Sequence, residues 1–126
     1  PYLEHSETPL YAFRHMIPDQ MRRLDLSLRM VALLRLLMPD INIAATTAMQ
    51  AIVPDGRERA IMAGANVLMP NLTLSEVREE YQIYQNKPGV GEDAAISSSR
   101  TEQRLREMKI PIGYGQWGDS IHYRKR

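Results

Sequence analysis

The chain has 126 residues, 44% hydrophobic and 25% charged, and its 16 Lys and Arg against 15 Asp and Glu leave a formal charge of +1. That profile is one soluble globular unit and excludes a disordered or strongly basic chain, so nucleic acid is not an expected partner. Zero cysteines exclude disulfides, thiolate zinc sites and any cysteine-ligated iron–sulfur cluster held by this chain itself. No apolar run reaches the roughly 18 to 20 residues that cross a bilayer, and with no signal layout at the N-terminus the expected compartment is the cytoplasm, with no membrane partner.

Pro1–Leu3 reads as the end of a strand already under way, and the expectation is a piece of a longer protein. Residues 4–23 are interrupted by Pro9 and Pro18, which predicts a loop. Leu24, Leu28, Val31, Leu34 and Met38 fall three or four apart, predicting a helix over Leu24–Met38 that Pro39 stops. β-branched Ile43, Thr46 and Thr47 predict a short strand within Ile41–Met49. Asp55 is placed to cap a short helix running through Ala63, with Gly64 in the position that follows a helix end. The apolar run Asn66–Pro70 predicts a second, doubly buried strand. Thr73 with Glu76 has the capping-box pattern, Ser75 being a rival cap, for a helix to about Tyr84. Residues 89–99 are flexible by composition, Arg100–Met108 is an amphipathic helix, and Ile110–Arg126 has no clear period.

Short buried strands alternating with helices imply parallel strands joined by right-handed crossovers, an α/β arrangement. A full (β/α) barrel needs eight such units and about 250 residues, so the expected fold is the C-terminal portion of a barrel, incomplete alone, over residues 1–126.

Few side chains offer chemistry by spacing. Glu4, His5 and Glu7 are metal-capable but share no regular element that would converge them, and a solvated loop is the plainer reading. His15 and His122 stand without partners. Gly113, Gly115 and Gly118 lack the strand and helix that a phosphate loop requires. Ser97–Ser99 has no basic partner for nucleophilic catalysis and reads as a helix start with Ser99 as cap. No catalytic residue and no metal ligand is assigned. Thr46, Thr47, Met69 and Asn71 close the two expected strands, where parallel α/β folds bind ligands, and are equally read as β-formers and turn residues.

The segments LMPDINIAATTAM (37–49 from Leu37), PDGRERAIMAGANVLMPNLT (from Pro54) and YQIY (from Tyr81) resemble radical S-adenosylmethionine enzymes of the biotin-synthase group. PYLEHSETPL, ATTAM and GANVLMPN resemble, within that group, the maturases that help assemble the active-site cluster of iron–iron hydrogenases. The likeness runs from Pro1 to about Gly118. It implies a biotin and thiamin synthesis associated region over about residues 24–110. It also implies S-adenosylmethionine and a 4Fe-4S cluster as cofactors of an intact parent, neither bound by this chain alone. S-adenosylmethionine would be touched by Thr46, Thr47, Met69, Tyr81 and Tyr84, the parent cleaving it reductively to a 5′-deoxyadenosyl radical.

Two departures narrow the likeness. Biotin synthase carries an arginine in the strand matching Ile43–Met49, whereas no arginine lies between Arg35 and Arg57 here. Serines stand near Ile96–Ser99, where some maturases carry a cysteine pair for an accessory cluster. The CxxxCxxC loop of the family is absent from the sequence. The expected partners are therefore the missing N-terminal barrel half and, through exposed edges, a second copy of the chain. The competing reading is a free-standing partner-binding or structural half-barrel module without catalysis.

Overall fold

Helix α1 (Gln20–Leu37) organises the N-terminal part of the chain. Asp19 starts it four residues earlier than the apolar period predicts, its side chain accepting from the Arg22 backbone N–H at 2.9 Å. Pro39 follows the last turn as expected. The structure is a computed structural model describing residues 1–78, 88 and 94–125. Ahead of α1, the expected loop contains a 3-10 helix over Pro9–Met16. Pro1–Leu3 forms no strand.

The expected α/β barrel portion is corrected: among the described residues there are helices and no strand or sheet. Segments 43–45 and 65–67 run parallel and meet at a single bridge, Ala44 to Val67. Ile43 O accepts from the N–H groups of Asn66 (2.9 Å) and Val67 (3.1 Å), and Ala45 N donates to Val67 O at 2.9 Å. Three local features stop that pairing from propagating. The Ile43 N–H, free to extend a ladder, donates instead to the Asn66 side-chain oxygen at 2.8 Å. Helix α2 (Thr47–Ile52) begins three residues past the bridge. Pro70 has no N–H to offer on the other segment.

α2 turns through Pro54 and Asp55 into α3 (Gly56–Met62). A Cβ at Gly56 would lie 2.1 Å from the Met49 carbonyl oxygen, so the close approach of these two short helices requires glycine there. α1, α2 and α3 pack on one another around Leu24, Val31, Ile43, Ala45, Met49, Ala60 and Ala65. Small alanines at three of these positions let backbone pack against helix directly.

Two compact units divide the chain. Of the described residues, the first holds 1–69, 88 and 120–125, including a terminal helix, Ile121–Arg124, whose His122 N–H donates to Asp40 O at 3.1 Å and whose neighbour Lys125 pairs with the Asp40 carboxylate. The second holds 70–78 and 94–119. Its helices are Ser75–Arg78 and Ala94–Glu107. The latter starts earlier than predicted, so Ser99 lies inside it and does not cap it. Lys109, at φ 57, ends that helix, with Ile110 N donating to Leu105 O at 2.9 Å. The remainder of the helix expected to run to Tyr84 lies outside the described residues.

Candidate functional site

Thr46 and Met69 each follow the isolated Ala44–Val67 bridge by two residues. Thr46 is extended (φ −77, ψ 149) and occupies the N-cap of α2, yet its hydroxyl makes no capping bond. That hydroxyl is shielded from solvent and has no hydrogen-bond partner among the described residues. A buried, unsatisfied hydroxyl, able to donate and to accept, costs about 1–3 kcal/mol. Thr47 is the first residue of α2 and is half-buried. Met69, 59% exposed, offers a polarizable apolar side chain at the same end. Asn71 uses its side chain locally, accepting from Thr73 N at 3.2 Å. Tyr81 and Tyr84 lie outside the described residues.

Below this end, Arg35 from α1 sets the two segments. Its guanidinium donates to Gly64 O (2.9 Å), Ile41 O (2.9 Å) and the Asn66 side-chain oxygen (3.0 Å). Asn66 in turn donates to Asn42 Oδ1 at 3.0 Å. Every acceptor here is neutral, so the arginine acts as a planar fork that gathers carbonyls.

A second polar cluster was not legible from spacing. Arg23 on α1 is 8% exposed, and its two terminal nitrogens hold both Glu4 carboxylate oxygens, at 2.6 and 3.1 Å, with Tyr2 O at 2.6 Å. The Arg23 hydrogen bond holds the Glu4 carboxyl below its ordinary value, against the opposite effect of burial. Arg23 Nε and the Tyr2 hydroxyl are both buried without a partner among the described residues. The only sequence signal was an arginine adjoining the inward apolar stripe of a helix. Of the metal-capable loop residues, Glu4 is committed to Arg23, while His5 Nδ1 accepts from Glu7 N at 3.2 Å. Among the described residues no three His, Cys, Asp or Glu side chains gather as a metal site, and no helix is long and apolar enough to cross a membrane.

No family model matches the chain. The chain is nonetheless related to a hydrogenase maturation protein. Over 87 residues it is 48% identical to the FeFe hydrogenase maturase subunit HydE of Thermotoga maritima, a stretch that is 69% of this chain and 23% of that protein. The chain thus spans about a quarter of the length of the curated relative it matches.

Proposed function

We propose that this chain is the C-terminal part of a radical S-adenosylmethionine maturase of the HydE type, that it includes the biotin and thiamin synthesis associated region over about residues 24–110, and that it supplies part of the S-adenosylmethionine and substrate cavity while being inactive alone. The 48% identity over 87 residues carries this reading.

The chain's own groups fit the organic cofactor and not the cluster. With no cysteine, nothing here matches the thiolate donor set of a 4Fe-4S cluster, which belongs to the rest of the longer chain. S-adenosylmethionine, once bound, supplies the radical chemistry; the residues of this chain bind and orient it. The orphaned Thr46 hydroxyl hydrogen-bonds a polar atom of the ligand, Thr47 lies beside it at the start of α2, and Met69 forms an adaptable apolar wall for the adenosine end. Tyr81 and Tyr84, outside the described residues, are the further ligand contacts that the resemblance implies, their rings and hydroxyls being types suited to adenosine.

The reading frame around the gene tests this proposal. A continuous frame encoding CxxxCxxC ahead of Pro1, whose product binds S-adenosylmethionine, supports it. A stop codon directly ahead of a start at this segment overturns it.

A further inference from the structure

The pairing that leads into Thr46 is short, and a side chain holds its open end. Backbone bonds join segments 43–45 and 65–67 at a single bridge, Ala44 to Val67. Past that bridge Thr46 enters the N-cap of α2, so no ladder holds the chain on that side. Ahead of it, the Asn66 side-chain oxygen accepts from the Ile43 N–H at 2.8 Å, in a half-buried bond, and from an Arg35 terminal nitrogen at 3.0 Å. Both partners can only donate, which settles the orientation of the amide and turns its nitrogen to Asn42 Oδ1 at 3.0 Å.

One asparagine therefore ties the opposite segment to its own and both to α1. Ile43 sits in the core, and its carbonyl accepts from the Asn66 and Val67 N–H groups. Side chain, N–H and C=O of Ile43 are thus all held. Thr46 follows three residues later, with buried Ala45 between, so the place of its hydroxyl is inherited from that of Ile43. A binding group has to be held within about 0.5 Å to act, and hydrogen bonds from neighbouring residues are an ordinary means of holding it.

We propose that Asn66 is a positioning residue for Thr46: through the Ile43 N–H it sets where the Thr46 hydroxyl meets its ligand, without touching that ligand. The inference rests on the S-adenosylmethionine reading of Thr46. Loss of the Asn66 side chain frees the Ile43 N–H and one arm of Arg35, and the chain leading to Thr46 shifts.

A double-mutant cycle in the longer enzyme tests this, with S-adenosylmethionine affinity read by calorimetry well below the melting temperature of each variant. Asn66→Ala is expected to weaken affinity about three- to tenfold in the parent and less than about twofold in a Thr46→Val background. A residue that acts through a hydroxyl has nothing to act on once the hydroxyl is gone. Asn66→Asp, which keeps both acceptor bonds, is expected to stay within about twofold of the parent. A residue needed only for folding lowers the melt of Asn66→Ala equally in both backgrounds and leaves no such coupling in affinity. Should Asn66→Ala not fold, Asn66→Ser, whose hydroxyl is too short to reach both donors, takes its place. Equal losses in the two backgrounds, unchanged affinity in Asn66→Ala beside a weakened Thr46→Val, or an Asn66→Asp as weak as Asn66→Ala would overturn this inference and leave the cofactor reading standing. Unchanged affinity in Thr46→Val would overturn the cofactor reading, and this inference with it.

Discussion

Arg35 and Gly64 fit together as stem and socket. The Arg35 Nε donates to Gly64 O at 2.9 Å, and the Arg35 Cβ lies 2.8 Å from the point where a side chain on Gly64 would begin. Gly64 also has φ +119, a backbone region that residues with a Cβ avoid. Gly64→Ala therefore meets strain and a clash together and is expected to cost about 2–3 kcal/mol. For a chain of this size that is roughly 8–12 °C in Tm, read by thermal denaturation. Arg35→Met, which keeps the stem and strands the Gly64, Pro39, Ile41 and Asn66 acceptors, is expected to cost about 2 kcal/mol.

Acid weakens the Glu4–Arg23 clamp with a defined sign. Glu4 titrates below its ordinary 4.5 in the folded chain, chiefly through the hydrogen bond from Arg23. The unfolded chain therefore takes up the proton first as pH falls, so the stabilisation is full above pH 4.5 and is lost as pH drops through the depressed folded value. Urea melts at pH 7 and pH 3 are expected to show a smaller drop for Glu4→Gln than for the parent chain. Glu4→Ala at pH 7 leaves a buried guanidinium unpaired and is expected to cost about 2 kcal/mol. Equal acid sensitivity in parent and Glu4→Gln would assign the loss to other carboxylates.

Iron and sulfide added anaerobically to the isolated chain are expected to give no visible cluster absorbance and no 5′-deoxyadenosine from S-adenosylmethionine. The reason is the absent thiolates. Absorbance or product above a blank would show a donor set that the sequence does not suggest.

Legibility in the sequence followed the kind of interaction that decides each element. The inward stripe Leu24, Leu28, Val31 marked α1, because burial of a helical face repeats every three or four residues. Gly64 after α3 was readable because a helix end needs a positive φ. The strands over Ile41–Met49 and Asn66–Pro70 were not correct, although both segments meet at Ala44 and Val67. β-branched composition reports a half-buried extended backbone, and the Asn66 side chain, α2 and Pro70 then end the pairing after one bridge. Of these, the contact between Asn66 and Ile43 joins residues 23 apart, which no local pattern contains, whereas Pro70 stood in the sequence itself. In the candidate site, Thr46 was singled out by its position and by the ATTAM resemblance, and its unsatisfied hydroxyl emerged only with the structure. Arg23 was missed because a buried arginine looks in sequence like any other arginine on a helix.

The proposal that the segment ends bearing Thr46 and Met69 face S-adenosylmethionine in a longer maturase-like enzyme is tested most directly by Thr46→Val in that enzyme. Calorimetric titration with S-adenosylmethionine and a thermal melt without it are run side by side. Valine keeps the shape and removes a buried hydroxyl that lacks a partner within the described fold, so the melt is expected to be unchanged or raised by up to about 1 kcal/mol in stability. Affinity is expected to fall roughly five- to tenfold, the worth of about one hydrogen bond to the ligand. Unchanged affinity with lowered stability would contradict the account and make Thr46 a structural residue.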